Sequence, residues 1–128
     1  MEPLMTNDIP LSDISSQNLA YVGDGIYELM VRERLVRQGG RVRGLHKLAV
    51  EQVRAEAQAK AADQLLPLLN EKEAAVYRRG RNAHTARTDG EYHKATGLEA
   101  LFGYLYLRGE TARLRDLFDE AMKAIEGG

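Results

Sequence analysis

The sequence predicts an all-α fold, a single domain of about five helices packed as a bundle. Apolar residues recur at spacings of three and four along most of the chain, the period of a helix face, and no segment alternates as a strand would. At 128 residues the chain can bury one hydrophobic core. Helix-breaking residues separate the apolar segments, at Gly39-Gly40, Pro67 and Arg108-Gly109.

The first helix is expected to begin at a cap formed by Ser15 or Ser16 and to end near Gln38. Residues 1–14 are polar and irregular, so we expect an N-terminal tail ahead of a domain spanning residues 15–128. The apolar stripe of this helix consists of Leu19, Val22, Ile26, Leu29 and Met30.

The following segments predict four more helices. An alanine-rich stretch over about 45–66 predicts the second, and Asn70 with Glu73 resembles a capping box that opens a short third helix. Residues 82–91 have no apolar periodicity and predict a mobile loop, which we expect to become ordered on a bound ligand. The fourth helix is expected over about 94–107, and the last has the stripe Leu114, Leu117, Phe118, Ala121, Met122 and Ile125.

Two of the predicted apolar helices contain an acid flanked by glycines. Asp24 lies between Gly23 and Gly25, and Glu99 lies four residues before Gly103. A glycine inside a helix costs about 1 kcal/mol relative to alanine, and a carboxylate in an apolar setting is costly unless it is paired or binds a metal. If the two helices pack together, the acids converge into an oxygen-only site suited to magnesium or manganese.

A simpler interpretation of these acids stays open. In it, the glycines only allow two helices to cross closely, and Asp24 faces water. Glu99 then forms an ion pair with a basic residue such as Arg32.

Arginine is concentrated between residues 77 and 87, a stretch that contains no acid although the whole chain has a net charge of −1. Arginine binds phosphate through two parallel hydrogen bonds, so this cluster predicts a phosphate-binding face. Basic residues also complement the dipole at a helix C-terminus, but that explanation does not reach the residues beyond the predicted helix end. The candidates are Arg78, Arg79, Arg81, His84 and Arg87.

Other classes of site find no support in the composition. The chain has no cysteine, which excludes disulfides and thiolate metal sites, and no P-loop, dinucleotide fingerprint or serine–histidine–acid pattern. No apolar run resembles a signal peptide or a membrane span, so we expect a cytoplasmic protein without membrane association.

Three stretches resemble the ribonuclease III family. LAYVGDGIYE at residues 19–28 resembles its signature helix, E-R-L-E-F-L-G-D-[SA]-V-L, and LEALFG at 98–103 resembles its second catalytic helix, D-x-x-E-A-L-I-G. RRGRNA at 78–83 is similar to the short bacterial subgroup called mini-ribonuclease III, which lacks a double-stranded-RNA-binding domain. The resemblance covers roughly residues 11–126.

The resemblance implies a magnesium-dependent endoribonuclease that hydrolyses double-stranded RNA, with manganese as a possible substitute. Asp24 and Glu99 are the implied catalytic residues and metal ligands. It also implies a homodimer whose signature helices meet on the two-fold axis, with Tyr21, Gly23 and Gly25 at the interface. The subgroup is associated with maturation of large-subunit (23S) ribosomal RNA, whose precursor is therefore the expected substrate. The arginine cluster is expected to bind the phosphates of this RNA.

At three positions the chain departs from the larger enzymes of the family. Gln17, Ala20 and Thr96 stand where those enzymes have further acids, which implies weaker metal binding. Two alternatives remain: a non-catalytic RNA-binding or dimerisation module of the same fold, and an all-α nucleotide pyrophosphohydrolase. The second alternative needs acids paired as E-x-x-E or E-x-x-D, and neither acid-bearing apolar helix contains that pattern.

Overall fold

The computed structural model describes residues 10–39, 41–83 and 90–127. Within these ranges the secondary structure is helical throughout, as predicted. The α-helices are α1 (Ser16–Gln38), α2 (Val42–Val53), α3 (Ala55–Leu65), α4 (Glu71–Arg81), α5 (Gly90–Leu107) and α6 (Thr111–Gly127), with short 3₁₀ turns at Leu11–Asp13 and Leu66–Leu68. The predicted tail and most of the predicted mobile loop lie outside the described residues.

The predicted helix ends of α1 and α4 are confirmed by their capping groups. Ser15 caps α1 by accepting a hydrogen bond from the backbone N–H of Asn18 at 3.0 Å. Gly39 ends the same helix with a positive φ of 88°, which glycine adopts without strain. Asn70 and Glu73 form the capping box at the start of α4, with hydrogen bonds of 2.8 and 3.0 Å.

The alanine-rich segment is two helices, so the prediction of one continuous helix is wrong. Arg54 is extended, with ψ of 158°, and separates α2 from α3. One nearby and one distant side chain satisfy carbonyls freed by this break. The Gln58 Nε2 donates to the Val53 carbonyl at 2.7 Å, and the Tyr27 hydroxyl donates to the Gln52 carbonyl at 3.4 Å. Helix propensity along the segment cannot indicate a break that depends on tertiary contacts.

Helix α5 begins at Gly90, about one turn before the predicted start at Lys94. The additional turn is polar, so apolar periodicity gave no sign of it. Lys94, which follows this turn, contacts another helix, with its ammonium group 2.9 Å from Asp63 on α3.

Helix α5 is the centre of the bundle and packs against α1, α3, α4 and α6. Its side chains are apolar around most of the circumference, which is typical of a buried helix. Tyr27 of α1 packs edge-on against Phe102 of α5 and Phe118 of α6, with ring centroids 5.4 and 5.9 Å apart. None of the helices in the described ranges is long and apolar enough to cross a membrane.

Candidate active site

The backbones of α1 and α5 touch where the two helices cross. A Cβ atom on Gly23 would lie 1.6 Å from the carbonyl oxygen of Glu99, and one on Gly103 would lie 2.0 Å from that of Leu19. Only glycine fits at either position. Gly23 is therefore buried against α5 of its own chain, and it does not lie on the free surface where the dimer interface was expected.

This crossing places the carboxylates of Asp24 and Glu99 within hydrogen-bond distance of each other. Asp24 follows Gly23 directly and is exposed, whereas Glu99 is only partly exposed. Burial, as the largest cause, together with the hydrogen bond with Asp24 and the charge of Asp24, raises the pKa of the Glu99 carboxyl to about 8. The two acids therefore favour a shared positive charge, either a proton or a metal cation.

The alternative ion pair between Glu99 and Arg32 is excluded by the structure. The Arg32 guanidinium contacts Glu28 at 2.9 Å, one turn along the same helix. Both side chains of that pair are well exposed, so the pair is a surface contact.

The site also contains Gln58, which sequence reasoning missed. Its side chain is 2% exposed, and its Nε2 lies 3.4 Å from Glu99 Oε2 while donating to the Val53 carbonyl. One sequence signal was available. Gln58 is a polar residue on the side of an alanine-rich helix that faces the core, with Ala59, Ala61 and Ala62 buried around it.

The donor set fits a hard divalent cation. Two carboxylates face each other, and magnesium is typically held by one or two carboxylates with water completing its shell. Within the described residues no group of three or more His, Cys, Asp or Glu side chains comes together. The Thr96 hydroxyl and the Gln17 amide are not part of this donor set and donate to the carbonyls of Tyr92 and Ala83, at 3.0 and 3.3 Å.

The described part of the arginine cluster lies on α4, beside the helix that contains Glu99. Gly80 packs against α5, where its Cβ would lie 2.7 Å from that of Ala100, and Arg78 and Arg79 are exposed. They line an open groove with residues 15–17 at the start of α1. The Arg81 guanidinium lies over the ring of Tyr77, 5.9 Å from its centroid. His84 and Arg87 lie outside the described residues.

The outer side of α1 presents an exposed apolar stripe. Tyr21 is 84% exposed, and Gly25, one turn later, has open space where a Cβ would be. Leu29 and Val36 continue the stripe, at 50% and 63% exposure. Tyr21 and Gly25 therefore share one face of the helix, and Gly23 lies on the opposite, inner face.

The helical fold of the chain agrees with the comparisons to known proteins. The Ribonuclease III domain family matches residues 17–110. The chain therefore belongs to the ribonuclease III family, in its mini-ribonuclease III group. It is an endoribonuclease, and its family cleaves double-stranded RNA with a divalent metal ion.

Individual relatives match over most of their length. The chain is 48% identical over 116 residues to a protein named Mini-ribonuclease 3 from Symbiobacterium thermophilum, covering 86% of this chain and 89% of the relative. It is 40% identical to the protein of the same name from Thermoanaerobacter, with 96% and 90% covered. A crystal structure of a Fusobacterium nucleatum protein superposes with a TM-score of 0.82 at 27% identity, covering 91% of this chain and 94% of that one.

Proposed function

We propose that Asp24 and Glu99 bind magnesium, with manganese as a substitute, and are the catalytic residues for hydrolysis of phosphodiester bonds in double-stranded RNA. The observation that supports this most is the meeting of the two carboxylates at the glycine-lined crossing of α1 and α5. When bound, the ion would stabilise the negative charge that develops on the phosphate and would lower the pKa of a bound water, so that hydroxide is available at neutral pH. Asp24 is exposed and therefore accessible to an approaching phosphate, while the carboxylate of Glu99 accepts from the buried amide of Gln58.

The arginine cluster is proposed to bind the duplex. Arg78 and Arg79 are exposed. The Arg81 guanidinium lies over Tyr77 and donates from Nε to Asn82 Oδ1 at 3.3 Å, which leaves its Nη groups for phosphate oxygens. The groove of an A-form duplex is read by shape, through phosphates and 2′-hydroxyl groups. His84 and Arg87 are proposed to contribute to the same surface.

We further propose a homodimer in which Tyr21 and Gly25 of each protomer meet across a two-fold axis. The exposed apolar stripe on α1 supports this, because a large exposed aromatic side chain beside a position without a side chain suits a self-complementary contact. The catalytic domain is taken as residues 15–128. On the resemblance to mini-ribonuclease III, the proposed substrate is the precursor of 23S ribosomal RNA, processed in the cytoplasm.

The test is cleavage of a long double-stranded RNA by the purified protein, with magnesium and with EDTA. Asp24→Asn and Glu99→Gln are expected to lose magnesium-dependent cleavage while still binding the duplex. Glu33→Gln is the matched control, because Glu33 is an exposed acid on the same helix that pairs with Arg37 at 2.8 Å. It is expected to cleave like the wild type.

Two outcomes contradict the proposal. Cleavage by both site variants at the wild-type rate would show that Asp24 and Glu99 do not bind the catalytic metal. Duplex binding without cleavage by the wild type, under varied metal and salt, would support a non-catalytic RNA-binding module instead.

A further inference from the structure

The buried amide of Gln58 connects the candidate metal site to the break between α2 and α3. Its Nε2 donates to the Val53 carbonyl at 2.7 Å, at the end of α2, and lies 3.4 Å from Glu99 Oε2. In the described part of the chain, Gln58 is the side chain whose N–H group reaches Glu99. A residue in the sequence-distant α3 thus touches the proposed metal ligand on α5.

Both neighbours of this amide are hydrogen-bond acceptors. The Val53 carbonyl can only accept, and the Glu99 carboxylate accepts when it is ionised, as it must be to bind a metal, so in that state the NH₂ group faces both and the oxygen points away. The Gln58 Oε1 is buried and has no protein partner among the described residues. A buried unpaired oxygen destabilises a fold, and an apolar side chain of the same size would avoid that cost. Filling space therefore does not explain why glutamine stands here.

The Val53 carbonyl, which accepts from Gln58, lies beside a second carbonyl that is hydrogen-bonded to the core of the bundle. Tyr27 donates to the neighbouring Gln52 carbonyl on the same side of the break, and its ring packs against the buried Phe102 and Phe118. The carbonyls at the end of α2 are thus tied to the core of the bundle. An amide fixed to one of them can hold a flexible glutamate side chain in one orientation.

We propose that Gln58 is a positioning residue for the metal site, which orients the Glu99 carboxylate toward Asp24 so that one cation binds both acids. This rests on the proposed function, since it assumes that Glu99 is a ligand. Partners that orient metal ligands in this way typically contribute about 10- to 100-fold to metal affinity. Removal of the amide should therefore weaken metal binding without removing either ligand.

The test uses Gln58→Met, which keeps the length of the side chain and removes its donor, with Gln58→Leu as a second variant. Manganese binding to the RNA-free protein is measured by electron paramagnetic resonance, beside the magnesium dependence of cleavage. We expect affinity for manganese to fall about 10- to 100-fold and the magnesium concentration for half-maximal cleavage to rise in parallel. The kcat at saturating magnesium and duplex binding in EDTA should be retained.

Gln52→Leu is the matched control, since Gln52 lies beside the same break but its side chain does not contact Glu99. It should bind manganese like the wild type, and circular dichroism should show all variants folded at the assay temperature. Wild-type manganese affinity in Gln58→Met would overturn the inference, and so would loss of folding in both Gln58 variants, which would assign the amide to the helix break alone. If the Glu99→Gln variant also bound manganese with wild-type affinity, the result would refute the proposed metal site itself and not only the role of Gln58.

Discussion

Gly23 and Gly103 face each other across α1 and α5, and each occupies a position where a side chain would penetrate the backbone of the opposite helix. The Cβ positions lie 2.8 Å from the Gly103 nitrogen and 3.1 Å from the Gly23 nitrogen, respectively. This contact sets the distance between the helices that present Asp24 and Glu99. The geometry of the site therefore depends on two residues that supply no functional group.

Gly23→Ala is expected to destabilise the protein by about 3 kcal/mol or more. The added methyl group would clash with backbone atoms of α5, which cannot move aside as a flexible side chain could. Urea unfolding followed by circular dichroism measures this free energy. Gly44→Ala, at an exposed position on α2, is the control. It adds the same methyl group into open space and should stabilise the protomer by about 0.5–1 kcal/mol, through helix propensity. Equal effects of the two substitutions would contradict the packing role of Gly23.

Glu99→Gln is expected to stabilise the metal-free protein at alkaline pH. The pKa of Glu99 is raised to about 8 from an ordinary value of 4.5, so the folded state binds its proton more tightly than the unfolded state. Stability of the wild type therefore falls as pH rises between these two values. The variant lacks this loss and should exceed the wild type by about 1–2 kcal/mol above pH 8 in EDTA.

Thermal unfolding of both proteins in EDTA, from pH 5 to pH 9, measures this difference. Addition of magnesium should raise the unfolding temperature of the wild type and leave that of Glu99→Gln unchanged. Parallel pH profiles for the two proteins would show that the Glu99 carboxyl has an ordinary pKa.

Arg113→Met should destabilise the fold by about 2–3 kcal/mol at neutral pH, because it leaves the Glu73 carboxylate buried without its partner. The Arg113 guanidinium donates to both Glu73 oxygens, at 2.8 and 2.9 Å, and to the Leu68 carbonyl. These hydrogen bonds are the main cause of the lowered pKa of Glu73.

The sign of the pH dependence follows from that lowered pKa. The pair stabilises the folded state above the unfolded pKa of glutamate, and this contribution is lost as pH falls through the folded value. The difference between wild type and Arg113→Met should therefore shrink in acid, as measured by urea unfolding at pH 7 and pH 3. A constant difference would contradict the ion pair as its source.

The double variant Arg78→Ala, Arg79→Ala should bind duplex RNA more weakly, and its affinity should depend less steeply on salt. Removal of one arginine–phosphate interaction reduces the slope of log affinity against log salt by about one. Fluorescence anisotropy over a range of salt concentrations, in EDTA, gives the slope. Arg115→Ala, at an exposed position on α6, is the control and should leave the slope unchanged. Weaker binding with an unaltered slope would contradict a direct interaction of these arginines with phosphate.

Tyr21→Asp should convert the proposed dimer to a monomer, because it places a charge in the centre of the apolar stripe on α1. The side chain is exposed in the protomer, so folding should be unaffected. Sedimentation velocity measures the association state, and circular dichroism checks the fold. Ala112→Asp, at an exposed site on α6, is the control for the added negative charge. A wild-type protein that is itself monomeric would contradict the dimer.

Much of the architecture follows from local features of the sequence. The all-α class, the start and end of α1 and the capping box of α4 depend on neighbouring residues alone, and all were predicted. The segments predicted incorrectly are those where distant groups decide the structure. The Tyr27 hydroxyl of α1 donates to a carbonyl at the break before Arg54, and Lys94, just after the additional turn of α5, contacts Asp63 on α3.

The sequence by itself determined which two helices contain an acid beside glycines, because that pattern violates helix preferences in a visible way. It could not determine what the glycines face. Only the tertiary structure showed that Gly23 packs inward against α5 while Gly25 stays open, and that the amide from α3 reaches Glu99. The reason is geometric. Neighbours along the chain set helix propensity and caps, whereas a contact between helices depends on which faces meet, and that is fixed by packing of the whole core.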